Sequence, residues 1–99
     1  MIYKSVVLSV ASKDIRSAAK WYNERSKGLG QRFVLVVKEE VRFICHNPYA
    51  FEVRYDNVRT IPLKKFPYML HYYVNEAEKE IVVIAVLHTS RNPDIWSER

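Results

Sequence analysis

The run EIVVIAVLH at positions 80–88 is apolar at odd and even positions alike from Ile81 to Leu87. A strand with one wet face alternates apolar and polar side chains. An unbroken apolar run of this length therefore belongs to a central strand covered on both faces. A second apolar run, residues 68–74, precedes it across the charged stretch NEAEKE, and the two read as a hairpin. Residues 51–55 and 58–63 read as two shorter strands ahead of it. Asp56 and Asn57 supply the turn between these, and Pro62 argues for an edge or a strand end.

The N-terminal half has a different period. Residues 2–10 are rich in β-branched side chains and predict an opening strand. Ser12 suits a helix cap, with Asp14 in the first turn where the helix dipole favours a carboxylate. Ile15, Ala18, Ala19 and Tyr22 follow at helical spacing, and Gly28 is a natural stop. Residues 30–46 contain FVLVV, which has strand propensity. Phe33, Val37, Val41 and Ile44 nevertheless continue one helical stripe across charged positions, and Asn47 and Pro48 end it. The second helix then pairs with the first as an antiparallel hairpin. The predicted order is β-α-α-β-β-β-β, an α+β fold with the helical hairpin packed on an antiparallel sheet and a short C-terminal turn or helix. Residues 1–99 read as a single domain.

Charge narrows the partners. The net charge is +5, and it divides unevenly. Residues 1–50 hold nine Lys/Arg against four Asp/Glu, whereas residues 51–99 hold seven of each. The excess sits on the predicted helices, at Lys13, Arg16, Lys20, Arg32, Lys38 and Arg42 among others. A basic surface steers an acidic partner, either nucleic acid or polypeptide, although for the net charge alone an ordinary solvated surface is the better account. Cys45 is the single cysteine, which rules out an intramolecular disulfide and fits a reducing compartment. The opening MIYK has no secretory pattern and no run is long enough to span a bilayer, so a cytoplasmic protein without membrane attachment is expected.

Little in the chain points to catalysis. There is no Gly-rich phosphate loop, no nucleophile elbow and no metal-ligand spacing, and no cofactor is expected. Cys45 reads as a small buried residue, and Glu76, Glu78 and Glu80 as solvated turn positions. Two histidines at one site can act as acid and base. A turn centred near Ala77, however, puts His88 opposite Phe66, about 16 Å from His71 at ordinary strand rise. His46 lies apart, at a helix end. The basic and aromatic residues around the hairpin and its exit, including Arg59, Lys64, Lys65, Tyr68, His88, Arg91 and Trp96, are the types enriched where proteins meet other macromolecules.

Taken in order, these residues resemble the ParE branch of the RelE/ParE toxin superfamily, which includes plasmid stabilisation proteins. In the first half the resemblance is carried by Ala11, Asp14, Ile15, Ala18, Trp21, Tyr22, Gly28, Leu29, Gly30, Phe33, Asn47 and Pro48. In the second half it is carried by Val58, Arg59, Leu63, Lys64, Phe66, Pro67, Tyr68 and Tyr72. The strand at 81–86, His88, Arg91, Pro93, Trp96 and Arg99 complete it.

The resemblance implies a type II toxin neutralised by an antitoxin whose flexible tail folds onto it. An acidic tail would be complementary to Lys13, Arg16, Lys20, Arg32, Lys38 and Arg42. ParE-like toxins poison DNA gyrase and are not enzymes; Arg59, His88, Arg91 and Trp96 are then the residues expected to carry toxicity. RelE-like toxins cut mRNA on the ribosome with clustered Lys and Arg plus a C-terminal tyrosine. In this chain the matching stretches, Thr60-Ile61-Pro62 and Tyr68-Met69-Leu70, lack those cations, and Trp96 stands near the tyrosine's place. For a ribonuclease the candidates are Arg59, Lys65, His71 and Arg91. A third reading is an inactive interaction module. Sequence-specific DNA binding by this chain is not expected.

Overall fold

The computed structural model describes residues 2–90. Strand β1 (Lys4–Val7) leads into helices α1 (Ser9–Arg25) and α2 (Leu29–His46). Four strands follow: β2 (Val53–Tyr55), β3 (Val58–Pro62), β4 (Tyr68–Asn75) and β5 (Glu80–His88). They form one five-stranded sheet in the order β1-β5-β4-β3-β2. The neighbouring pairs among β2 to β5 are antiparallel, while β1 runs parallel to β5, so the sheet is mixed. The α+β order matches the sequence expectation. The parallel pair arises because the chain returns through two helices before β5 reaches β1, and a parallel partner needs a long crossover. The opening strand is also shorter than its β-branched run suggests, because Ser9 and Val10 already belong to α1.

The FVLVV segment is helical. Phe33, Val37, Ile44 and Cys45 are buried and Val41 half-buried, whereas Leu35 on the other side of α2 is exposed. One helical stripe turns Phe33, Val37, Val41, Ile44 and Cys45 inward together, which an extended segment of alternating faces would not do. Asn47 closes the helix, both its N–H and its Nδ2 donating to the Phe43 carbonyl. Tyr22, Phe33, Phe66 and Tyr68 form the aromatic centre between helices and sheet. From Phe33 the ring centroids lie 5.6 Å to Tyr22, 5.2 Å to Phe66 and 5.1 Å to Tyr68. Tyr72 is fully buried and donates its hydroxyl to the Pro48 carbonyl at 2.9 Å, so its one polar atom is satisfied.

The apolar run of β5 has a specific cause. Val83 pairs with Tyr72 and Ala85 with His71, which leaves Ile84 as an extra residue. This bulge reverses the strand's parity. Ile81, Val83 and Val86 therefore all join the main core under the helices, while Ala85 and Leu87 form a second cluster with Ile84 and Tyr55 on the opposite face. The same bulge corrects the histidine geometry. His88 pairs with Tyr68, not Phe66. Half of that two-residue difference comes from the turn, which places Asn75 opposite Glu80; the bulge supplies the other half.

The expected cap on α1 also differs. The helix begins at Ser9, and neither Ser12 nor Asp14 caps it. Asp14 instead turns toward the sheet and accepts the Val86 N–H at 3.0 Å. Between β2 and β3, Asp56 (φ 39°) and Asn57 (φ 70°) are both left-handed, the two-residue turn whose twist matches a hairpin. No helix among the described residues is long and apolar enough to cross a membrane.

Candidate functional site

Where β1 ends, the outer edge of β5 has no strand neighbour among the described residues, and α1 runs beside it. A groove of about 770 Å³ opens there. Trp21 and Tyr22 form its helix wall, Pro67, Tyr68 and His88 its strand wall, and Asp14 lies at its base. Trp21 remains 48% exposed, with the Arg25 guanidinium 3.6 Å above its ring. His88 stacks edge-on against Tyr68 at 5.2 Å. Its Nδ1 accepts the Ser90 N–H at 3.1 Å and lies 2.8 Å from the Ser90 hydroxyl. With Nδ1 accepting, the neutral ring carries its proton on Nε2. The groove thus offers aromatic surface, one carboxylate and one imidazole, a composition suited to gripping a partner's side chain. In the sequence Trp21 and Asp14 stand among the residues that carry the family resemblance, and neither reads as a site residue. Their convergence with His88 had no local signal.

The other expected site residues are not gathered in this groove. Arg59 pairs with Tyr72 and shares the helix-side face with Ile61. Its Nη1 donates to the Phe51 carbonyl, and its guanidinium lies 5.0 Å from the Tyr49 ring centroid, so it braces the segment after α2. His71 pairs with Thr60 and Ala85 and sits on the opposite face, fully buried, its Nδ1 3.0 Å from the Tyr55 hydroxyl. Lys65 is exposed in the β3–β4 connection with a left-handed backbone (φ 68°). The sheet therefore separates Arg59 from His71, and His71 from His88. Arg91 and Trp96 lie outside the described residues.

The six cations expected to face an acidic partner are all exposed, but they do not form one patch. Lys13, Arg16 and Lys20 recur at helical spacing along one side of α1. Arg32 lines a shallow groove with Lys65 and Phe66. Lys38 and Arg42 border a separate groove beside β1.

The sequence reading missed one polar cluster altogether. Glu76, taken as a solvated turn position, accepts the Tyr3 and Tyr49 hydroxyls at 2.7 Å and pairs with Lys79 at 2.6 Å. These contacts, the Lys79 ammonium foremost and then the two hydroxyls, hold its carboxyl down at about 2. The same carboxylate pushes the Tyr49 hydroxyl up to about 12. A carboxyl held below its ordinary value stabilises the fold above that value, and the contribution is lost as pH falls toward about 2. Glu76→Gln is therefore expected to flatten the fall in melting temperature between about pH 5 and pH 2. Thermal unfolding of both proteins across that range checks this, and parallel curves would show that the cluster adds no net stability.

Comparison with known proteins places this geometry. The family model described as ParE toxin of type II toxin-antitoxin system, parDE, matches residues 7–93. Among solved structures, a chromosomal ParDE TA system from P. aeruginosa aligns with a TM-score of 0.77 and 18% identity, covering 90% of this chain and 98% of that one. An arginine-to-alanine double mutant of E. coli toxin RelE in the free state aligns with a TM-score of 0.71 and 21% identity, covering 99% and 94%. The archaeal RelE-RelB complex from Pyrococcus horikoshii OT3 aligns with a TM-score of 0.52 and 16% identity, covering 93% and 100%. No curated protein matched.

Proposed function

This chain belongs to the ParE toxin family of type II toxin–antitoxin systems, and we propose that it acts in the cytoplasm by binding and poisoning DNA gyrase until a cognate antitoxin neutralises it. In this reading residues 1–99 are one toxin domain, and the antitoxin brings an acidic tail to the basic helices. The chain itself catalyses nothing. One observation carries the choice of a binding toxin over a ribonuclease. Cutting RNA without a metal requires an acid, a base and cations converging on one phosphate. Here Arg59 is tied to Phe51 and Tyr49 on the helix side, His71 is buried on the opposite face, and Lys65 stands in a connecting loop. The groove at His88, with Trp21, Tyr22 and Tyr68 as walls, is a surface for holding a partner. Arg91 and Trp96, a few residues beyond it in sequence, are proposed to extend that surface.

Induced expression in a bacterial host tests the proposal. Filamentation with a DNA-damage response and intact mRNA is the expected outcome. New mRNA ends with immediate translation arrest would replace gyrase with RNA as the target. Normal growth despite folded protein would point to an inactive interaction module. His88→Ala is expected to raise survival at least tenfold with only a small fall in melting temperature, since the ring is half-buried and its one ring contact is the edge-on stack against Tyr68. Unaltered killing by that variant, measured as colony counts, would remove His88 from the target surface.

A further inference from the structure

Helix α1 buries Ala11 and Ala18 and turns its opposite side to solvent. At 3.6 residues per turn, Ser9, Lys13, Arg16, Lys20 and Glu24 fall within about 80° of arc on that side. All five are exposed, and none is apolar or aromatic. Asp14, the other carboxylate of α1, is turned inward to the Val86 N–H. Arg25 belongs to the groove wall, stacked on Trp21. Among the described residues, Lys13, Arg16 and Lys20 form no ion pair. Three cations thus stand in a row along one helix, about 10 Å from first to last at the helical rise. Glu24, one turn further on, ends the row.

What the row can hold follows from what it lacks. An acidic polypeptide that folds onto a surface must bury apolar groups to offset its ordering, and the row has no apolar side chain to cover. An unpaired nucleic-acid strand is held by stacking its bases on aromatic rings, and the row has none. The phosphate backbone of a duplex needs neither. It is met by Lys, Arg and Ser side chains, the types present here. Each strand of a DNA duplex carries one phosphate per about 3.4 Å of axis, so a row of about 10 Å laid along it meets about three.

We propose that Lys13, Arg16 and Lys20 seat α1 on the backbone of duplex DNA. No base is read, so the contact is independent of sequence. The proposal rests on the gyrase reading above and deepens it. Trp21, which walls the His88 groove, lies about a quarter-turn from the row around α1, so one helix grips the enzyme and lies on the DNA that the enzyme holds. The assignment also divides the six exposed cations named above. Arg32, Lys38 and Arg42 border grooves lined with aliphatic side chains and are left to the antitoxin.

The probe is a short labelled DNA duplex of mixed sequence, titrated with the full chain by fluorescence anisotropy from about 50 to about 200 mM salt. Saturable binding is expected. It should weaken with salt along a slope of about −2.7 in log K against log salt, the value for three phosphates. Combining Lys13→Gln, Arg16→Gln and Lys20→Gln should weaken binding at least tenfold at the lowest salt, and Gln keeps good helix propensity. Combining Arg32→Gln, Lys38→Gln and Arg42→Gln removes the same charge from α2 and should change affinity less than threefold. Each single change in the row should lower the slope by about one, and these variants decide if the triple variant does not fold.

No binding at the lowest salt, binding indifferent to salt, or equal losses in the two triple variants would each overturn the proposal. Tighter binding of a single strand or of an RNA duplex would assign the row to another nucleic acid and overturn it. A Glu-rich peptide that binds the wild type more tightly than the duplex does, and loses that affinity in the row variant, would give the row to a polypeptide and overturn it as well. These outcomes are independent of killing in cells: failure of the DNA titration leaves the gyrase reading intact, and absence of killing leaves the DNA result intact.

Discussion

Truncating Phe33 to alanine is expected to destabilise the fold by about 3–5 kcal/mol. The ring is completely buried and touches three other aromatic rings, so its removal leaves a cavity bordered by Tyr22, Phe66 and Tyr68. These neighbours come from α1, the β3–β4 connection and β4, and each is held by its own packing, so the site cannot close by moving one of them. A chain of this size is stable by only about 5–15 kcal/mol in total. The loss corresponds to a fall in melting temperature of roughly 12–40 °C. Denaturant unfolding of wild type and variant at equal slope measures it. A cost under about 1 kcal/mol would mean that the aromatic centre is loosely packed. Phe33→Leu, which refills most of the volume, is expected to recover more than half of the loss.

Gly30→Val is the second large effect, and it acts on the helix pair. Gly30 is buried where α2 crosses α1, and its N–H donates to the Asn23 Oδ1 at 2.8 Å. A Cβ at this position would run into the Ala19 carbonyl oxygen, with the Asn23 amide 2.6 Å away. The Asn23 side chain can swing aside only by abandoning its hydrogen bond, and the Ala19 carbonyl belongs to the backbone of α1. The helices must separate. Overpacking at about 1–3 kcal/mol and the lost hydrogen bond at about 0.5–1.5 kcal/mol together give roughly 1.5–4.5 kcal/mol.

Gly28, two residues earlier, is the useful contrast. Nothing lies within 4 Å of its absent side chain, but its φ is 86°. Gly28→Ala therefore carries only the conformational penalty of about 1–2 kcal/mol, and Gly28→Asn less. Calorimetry of these variants should rank Gly30→Val as the most damaging. The reverse order would show that the helix crossing yields easily.

Much of the fold was legible because its causes are local. The stripe from Phe33 to Ile44 outweighed the strand propensity of FVLVV, since burying one side of a helix stabilises more than propensity differences do. The Asp56-Asn57 turn and the apolar hairpin were similarly visible. The toxin family, too, was recognisable from residue order along the chain, and the match over residues 7–93 agrees with it. The candidate site was far less legible. His88 stood out through its place at the strand exit, but the groove around it needs Asp14 and Trp21 from α1. Arg59 and His71, both candidates in the ribonuclease reading, lie on opposite faces of the sheet.

By itself, then, the sequence determined the type and order of the elements and the residues that make the core. Periodicity is a property of neighbouring residues, and hydrophobic burial acts on it directly. Only the tertiary structure decided which side chains meet. One extra residue at Ile84 reverses the parity of β5, so a face assigned by counting along the strand changes partway. Asp14 reaches Val86 across 72 positions, and Tyr3 reaches Glu76 across 73. Such contacts follow from how the assembled sheet places distant segments side by side, and no local pattern of residues encodes them.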